Sequence, residues 1–158
     1  MIAPMEPVAI RDATLADLDA LRDVFRRSSL ANEGDRPHLL AHPEVLVLPA
    51  SSVEEHDMRV AEVDGRIVGF ATAYVTDADA VELDDLFVDP DWMRRGIATL
   101  LVADLVVRTR AAGSRRIEVT ANDHAMAFYE QAGFFAVGEV ATRFGAATRM
   151  HRGVDDSG

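Results

Sequence analysis

The sequence contains neither cysteine nor lysine, and each absence removes a class of site. All sixteen basic residues are arginines. A chain without cysteine forms no disulfide, holds no zinc through thiolates and offers no thiol nucleophile. A chain without lysine cannot modify lysine side chains of its own. Any group transfer on this chain must therefore proceed without a cysteine-bound intermediate.

A basic surface and a long hydrophobic run are also absent. The formal net charge is -11 at pH 7, whereas proteins that bind nucleic acid usually carry a basic footprint. No run approaches the roughly 20 apolar residues that span a bilayer, and residues 1–7 lack the charged and apolar regions of a signal peptide. We therefore expect a soluble cytoplasmic protein that prefers cationic partners and has no nucleic-acid or membrane partner.

The composition that is present suits one globular domain. The chain has 158 residues, 49% of them hydrophobic, and a chain of this length buries about two-thirds of its unfolded surface. We predict a single domain over residues 1–158, with residues 1–7 and 155–158 as flexible tails. The periodicities predict a strand, one or two helices, three strands, a helix, a strand, a helix and two strands, in that order.

Turn and cap residues locate these elements along the chain. Thr14 is a predicted helix N-cap, Asp64 and Gly65 form a two-residue hairpin turn, and Gly113 ends the long helix that begins after Gly96. That helix is apolar on most sides, so we expect it to be widely covered. The predicted strands are 8–11, 58–63, 66–75, 81–89, 117–120, 135–140 and 146–152, and further helices are predicted at 36–41 and 122–132.

Residues 81–101 join a predicted strand to the long helix through a short basic loop. Amide N–H groups at a helix N-terminus have no intrahelical partner, and the helix dipole adds roughly half a positive charge there. Gly96 and Ala98 keep large side chains away from the backbone, while Arg94 and Arg95 supply charged donors. The pattern predicts an anion site that suits a phosphate group.

Two separated motifs resemble the GNAT superfamily of acyl-CoA-dependent N-acetyltransferases. The first is L-F-V-D-P-D-W-M-R-R-G-I-A at residues 86–98, similar to the family signature Q/R-x-x-G-x-G/A except that Met93 stands at the Q/R position. The second is N-D-H-A-M-A-F-Y-E-Q-A-G-F at residues 122–134, which matches N-x-x-A-x-x-F/L-Y-x-x-x-G-F at every marked position. The two motifs occur in the family's order, separated by one predicted helix and one predicted strand. The resemblance covers nearly the whole chain.

The resemblance implies an α/β (α+β) fold. We expect a mixed, mostly antiparallel sheet of six to seven strands, flanked by about four helices, in which one parallel pair of strands splays apart. The strand at 117–120 follows a helical crossover and is therefore predicted to run parallel to the strand at 81–89.

The resemblance also implies acetyl-CoA as co-substrate and names the residues that would bind it. Backbone groups of Leu86, Phe87 and Val88 would bond the pantetheine arm as an added strand does. Asn122 matches an asparagine that contacts CoA in the family, and a helix N-cap is its other interpretation. The residues that would hold the pyrophosphate are Arg94, Arg95, Gly96, Ile97, Ala98 and Thr99.

Two residues are candidates for the proton transfers. Tyr129 aligns with the family's general acid, which protonates the departing CoA thiolate, and a packed helix tyrosine is the alternative. Asp84 occupies the place of a glutamate in the L-E-D-F-F-V-like strand of polyamine acetyltransferases, and strand alternation puts it on the face of Glu82. The general base stays open between Asp84, Glu82 and an ordered water, and solvated carboxylates near a strand end are the other interpretation.

The predicted activity is direct transfer of an acetyl group from acetyl-CoA to a primary amine. A protein N-terminus or an antibiotic as acceptor, and a non-catalytic acyl-CoA-binding module, stay as alternatives, and a homodimer through the closing strands is also open. Residues 28–55 are expected to line the acceptor site. A small cationic acceptor is favoured because acidic residues cluster near the predicted splay, namely Asp77, Asp79, Glu82, Asp84 and Asp85.

The histidines do not form a metal motif. His38 and His42 are spaced as on a metal-binding helix, but no Glu-x-x-His pattern or third ligand accompanies them, and Pro43 follows directly. His124 is expected to face solvent. We therefore predict no metal.

Overall fold

A computed structural model describes residues 7–31, 36–43, 48–55, 57–142 and 145–154. The predicted tails lie outside this range apart from Pro7, as do parts of the stretch 28–55 and the side chain of His38. The described residues form seven strands and five helices. The strands are β1 Ala9–Asp12, β2 Asp57–Val63, β3 Arg66–Asp77, β4 Ala80–Val88, β5 Arg116–Ala121, β6 Phe135–Thr142 and β7 Gly145–Gly153, and the helices are α1 Leu18–Leu30, α2 Arg36–Ala41, α3 Ser51–Glu55, α4 Ile97–Ala111 and α5 Met126–Gln131.

The seven strands form one sheet in the order β1-β2-β3-β4-β5-β7-β6. β4 and β5 run parallel, whereas β1 and β2, β5 and β7, and β6 and β7 pair antiparallel. Registered pairs between β4 and β5 end at Leu83 and Val119, although β4 continues to Val88 and β5 to Ala121. The predicted mixed sheet with one splayed parallel pair is confirmed.

The chain divides into two compact units. The first contains Met1–Thr72 and Leu86–Leu101, and the second contains Ala73–Asp85 and Val102–Gly158. The strands β3 and β4 and the helix α4 each continue from one unit into the other.

The first unit has a core of aliphatic and aromatic side chains from α1, β2 and β3. The helical spacing predicted for α1 is confirmed, because Leu21 and Val24 are both buried in this core. Thr14 is the N-cap of a short 3-10 helix, Leu15–Asp17, that leads into α1, and its backbone N–H donates to the Asp17 carboxylate at 2.8 Å. The other buried members of this core are Leu48, Met58, Val60, Ile67 and Phe70.

The second unit shows the alternation expected of a strand with one buried face. In β5 the side chains of Ile117, Val119 and Ala121 are buried, while those between them are not. The expectation that α4 would be widely covered is wrong, because Val107 is 61% exposed. The helix is buried along one face only, and its apolar composition does not reveal which face that is.

Two further elements differ from the predictions. α5 begins at Met126, not at Asn122, because the Ala125 N–H donates to the Asn122 carbonyl at 3.0 Å in a turn that precedes the helix. The helix α3 was not predicted, since five residues carry too little periodicity to reveal one. In the described part of the chain, none of the helices is long and apolar enough to cross a membrane.

Candidate functional site

The junction between β4 and α4 is shaped by one aspartate and two left-handed residues. Asp89 is the N-cap of a short 3-10 helix, Pro90–Trp92, and its Oδ1 accepts the Asp91 N–H at 2.9 Å. Further along the loop, Arg94 has φ of 63° and Gly96 has φ of 82°. These backbone angles turn the chain sharply out of the strand and into α4.

The first turn of α4 has amides without an acceptor in the helix. The Leu100 N–H donates to the Gly96 carbonyl at 3.0 Å and so forms the first bond of the helix. By helix geometry, the N–H groups of Ile97, Ala98 and Thr99 then have no intrahelical acceptor. A Cβ at Gly96 would meet no atom within 4 Å, so glycine stands there because of its positive φ and not for lack of space.

The two arginines of the loop are both exposed. The guanidinium carbon of Arg95 lies 4.7 Å from the centroid of the Trp92 ring, a distance typical of a cation–π contact. This contact restricts the Arg95 side chain before an anion binds. Binding of an anion would therefore cost less side-chain entropy. The six residues predicted to hold pyrophosphate lie in the loop before α4 and in the first turn of that helix, all in the first unit.

The residues predicted to bind the pantetheine arm are anchored by their side chains. The Phe87 ring lies 5.0 Å from that of Phe25 in an edge-to-face contact and 5.5 Å from that of Phe70. Val88 is buried and Leu86 is half-buried. Because these side chains pack within the first unit, the backbone of this strand end has a fixed position.

Asp89 is a residue of this junction that the sequence analysis did not single out. It is 1% exposed, and its Oδ2 accepts hydrogen bonds from Arg27 at 2.6 Å and from Arg66 at 3.2 Å. Arg27 also donates to Asp91 at 2.9 Å, and these carboxylates raise the pKa of Arg27, with Asp91 the larger cause. The buried carboxylate thus ties α1 and β3 to the loop that precedes the phosphate turn. An aspartate directly before a proline at a strand end was the one available signal.

Tyr129 lies on α5 in the second unit and is 7% exposed. Its ring packs edge-to-face on Phe128 at 5.2 Å and on Phe134 at 5.3 Å. Burial, together with the nearby negative charge of Asp85, raises the pKa of the Tyr129 phenol above its usual value. A raised pKa keeps the phenol protonated to a higher pH than an exposed tyrosine, and the protonated form is the one that can donate a proton.

Asn122 is exposed in the turn before α5. The N-cap of that helix is Ala125, so the interpretation of Asn122 as a helix cap is wrong. Its side chain is accessible to a ligand from this turn.

The carboxylates of β4 have different surroundings. Both oxygens of Glu82 accept from the Arg149 guanidinium, at 2.7 and 2.9 Å, in a bidentate pair. Asp84 is exposed. Both carboxylates raise the pKa of Tyr74, after the larger effect of burial, which agrees with the predicted common face of Glu82 and Asp84.

The acidic cluster near the end of β3 and the start of β4 carries arginine partners that the sequence did not reveal. Asp77 lies 3.7 Å from Arg116, and Asp79 lies 3.5 Å from Arg115. With Glu82 held by Arg149, much of the predicted local negative charge is balanced.

The predicted residues fall into two groups. Those predicted to bind the pantetheine arm and the pyrophosphate lie in the first unit, whereas Asp84, Asn122 and Tyr129 lie in the second. Among the described residues, no three side chains of histidine, aspartate or glutamate are grouped to hold a metal ion.

Known proteins match both the sequence and the fold. The family model described as acetyltransferase (GNAT) family matches residues 18–134. An uncharacterized N-acetyltransferase of Methanocaldococcus jannaschii is 31% identical over 90 residues, which cover 51% of this chain and 40% of that relative. The chain thus spans less than half the length of this relative.

Solved structures share the fold at lower sequence identity. The PaiA N-acetyltransferase of Thermoplasma acidophilum, in complex with coenzyme A, has a TM-score of 0.74 and 17% identity, and the match covers 93% of this chain and 99% of that one. The ribosomal-protein-S18-alanine N-acetyltransferase of Escherichia coli has a TM-score of 0.72 and 20% identity, with 96% and 97% covered. At these identities the likeness concerns the fold alone.

Proposed function

The chain belongs to the acetyltransferase (GNAT) family, and from this membership we propose that it transfers an acetyl group from acetyl-CoA directly to a primary amine of a small cationic acceptor. The match to the family model includes residues of both compact units. This extent supports the further proposal that residues 1–158 act as one acetyltransferase domain.

The observation that carries the proposal is the first turn of α4. The amides of Ile97, Ala98 and Thr99 are free of intrahelical partners and follow a left-handed glycine, with exposed Arg94 and Arg95 beside them. Aligned N–H groups, the helix dipole and two guanidinium groups together suit the two negative charges of a pyrophosphate. The proposed ligand, acetyl-CoA, carries that group.

The chemistry needs one proton acceptor and one proton donor. The acceptor ammonium first loses a proton to a base, because only the neutral nitrogen has a lone pair with which to attack. That nitrogen then bonds to the thioester carbonyl carbon, and the tetrahedral intermediate that forms releases a second nitrogen proton as it collapses. Collapse of that intermediate breaks the C–S bond, and the departing thiolate takes the proton of the Tyr129 phenol. The products are the acetylated amine and free CoA, and the transferred protons equilibrate with water.

Asp84 is our candidate for the base. The bidentate pair with Arg149 engages both oxygens of Glu82, so this carboxylate already has a partner on the chain. The Asp84 carboxylate is exposed on the same strand face and can reach an amine directly or through a water. The same negative charge favours an acceptor that arrives as an ammonium ion.

A CoA-release assay tests the proposal. Because the protein has no cysteine, a thiol reagent reports released CoA with no background from the chain. We expect release above the amine-free rate with small diamines or polyamines, and a higher melting temperature with acetyl-CoA, since a ligand that binds only the folded state stabilises it.

The other outcomes of that assay are equally informative. Stabilisation by acetyl-CoA without release for any amine would identify a non-catalytic binding module. Release with peptides or aminoglycosides only would replace the small-amine acceptor by a protein N-terminus or an antibiotic. No stabilisation by either CoA or acetyl-CoA would contradict the proposal as a whole.

Asp84→Asn should lower kcat/KM for the acceptor by about 10-fold at pH 7, less than the usual 10²–10⁴ for a positioned base because a water can partly replace it. The deficit should shrink as the pH rises toward the pKa of the amine, near 10 for an alkylamine, since a neutral amine needs no base. Asp64→Asn, the same change at an exposed hairpin turn, is the control and should leave the pH dependence of kcat/KM unchanged. A deficit that is constant across pH would exclude Asp84 as the base.

Cytoplasmic location, the lack of nucleic-acid and membrane partners, and a homodimer stay predictions from the sequence. The lining of the acceptor site by residues 28–55 also stays a prediction, and several of these residues lie outside the described part of the chain.

A further inference from the structure

Gly69 is the fourth residue of β3 and lies close to side chains from the start of α4. A Cβ at this position would lie 3.0 Å from Ile97 Cγ2, 3.0 Å from the Phe87 carbonyl oxygen and 3.4 Å from Leu101 Cδ1. The two contacts at 3.0 Å are tighter than about nine in ten of those that real Cβ atoms make. Unlike Gly96, Gly69 has no positive φ, so glycine is required here by space alone.

The atoms around Gly69 have little freedom to move away. Ile97 is 2% exposed and Leu101 is 1% exposed, so neither side chain can rotate toward solvent. The Phe87 carbonyl belongs to the backbone of β4. The chain directly after β4 is also tied to β3, because the Asp89 N–H donates to the Val68 carbonyl at 2.8 Å. A side chain at Gly69 would therefore press on both the first turn of α4 and the Phe87 carbonyl, and a neighbour would have to move by a few tenths of an ångström. Because a side chain yields more readily than sheet backbone, we expect the larger displacement at the first turn of α4.

We propose that Gly69 is a positioning residue for the proposed acetyl-CoA site. The contact that it permits sets how deeply the N-terminus of α4 lies against the sheet, and with it the position of the Ile97, Ala98 and Thr99 amides. Those amides must lie at a fixed distance from the backbone of Leu86–Val88, because the pantetheine arm and the pyrophosphate belong to one ligand. The inference rests on the proposed function for the identity of that ligand.

The test compares two acyl donors in the Gly69→Ala variant. Acetyl-CoA contains the pyrophosphate, whereas S-acetylpantetheine lacks it and uses only the strand end. A misplacement of about 1 Å can cost roughly 10²-fold, so a shift of a few tenths should raise KM for acetyl-CoA about 5- to 10-fold. The kcat at saturating acetyl-CoA and the kcat/KM for S-acetylpantetheine should change less than about twofold.

Two other glycines supply matched controls. A Cβ at Gly138 or Gly153 would meet no atom within 4 Å, and neither residue has a positive φ. Gly138→Ala and Gly153→Ala should therefore leave KM for acetyl-CoA and kcat/KM for S-acetylpantetheine unchanged. Equal losses with both donors for Gly69→Ala, or no loss with either, would overturn the assignment.

A second variant keeps the test informative if Gly69→Ala does not fold. Leucine at position 97 has nearly the volume of isoleucine but lacks the Cγ2 methyl nearest to the added Cβ. The double variant Gly69→Ala/Ile97→Leu should recover folding and part of the acetyl-CoA affinity, and purely additive effects of the two changes would contradict the steric account. If no amine supports turnover, binding of CoA and pantetheine to the same variants still tests Gly69, whereas wild-type protein that binds neither would refute the proposed function itself.

Discussion

Tyr129→Phe is expected to lower kcat with acetyl-CoA by about 10²-fold or more. The variant keeps the ring that packs on Phe128 and Phe134 and removes only the phenolic proton donor. Dissociation constants for acetyl-CoA and the melting temperature should therefore change little. Steady-state kinetics beside a binding titration measure the two effects separately.

The pKa of the leaving thiol distinguishes a tyrosine that donates a proton from a tyrosine with only a structural role. A thiolate with a low pKa departs without protonation, so the deficit of the Tyr129→Phe variant should shrink with thioester donors whose thiols are more acidic. A deficit of equal size for all donors would remove Tyr129 from the proton transfer.

The pH profile of the wild-type protein carries the same information. Burial and the charge of Asp85 raise the pKa of Tyr129, so the folded protein keeps the acid protonated at a pH where an exposed tyrosine, with a pKa of about 10, would begin to ionise. The kcat should therefore show no loss from ionisation of Tyr129 at any pH below about 10. An alkaline decline well below that pH, present in the wild type and absent from the phenylalanine variant, would contradict the raised pKa.

Asp89→Ala is expected to destabilise the protein by about 2–4 kcal/mol, since it removes a buried carboxylate that accepts from two arginines and one backbone amide. The expected loss of stability is moderate because Arg27 and Arg66 are partly exposed and water can solvate them in the variant. For a chain of this size the melting temperature should fall by roughly 5–15 °C. The affinity for acetyl-CoA should fall as well, because the loop before Arg94 loses its anchor.

Asp91→Ala is the matched control for Asp89. It removes another carboxylate of the same short helix and a partner of the same arginine, but this side chain is 70% exposed. An exposed ion pair contributes about 0–1 kcal/mol, so the melting temperature should change by only a few degrees. Similar losses for the two variants would show that burial of Asp89 does not decide its contribution. Asp89→Asn keeps an acceptor for the Asp91 amide, so its melting temperature should lie between those of the two alanine variants.

The sequence by itself determined the order of the elements apart from α3, the mixed sheet and the family, and it brought Arg94–Thr99 to the start of a long helix. These features follow from short-range patterns: an alternating strand, a turn glycine, a helical period and two motifs whose spacing is read directly along the chain. The position of Tyr129 on a helix was available in the same way. Whether that tyrosine is buried, and in which direction burial and a neighbouring charge shift its pKa, was not.

Only the tertiary structure decided which charges neutralise one another and where the backbone approaches itself. Asp89 meets Arg27 across 62 positions of the sequence, and Glu82 meets Arg149 across 67. The sequence does not distinguish Gly69 from other strand glycines, because the restriction on a side chain there comes from the packing of α4 against β3. No local preference encodes such contacts, because the free energy of an ion pair or of a close approach depends on burial and distance, which exist only once the chain has folded.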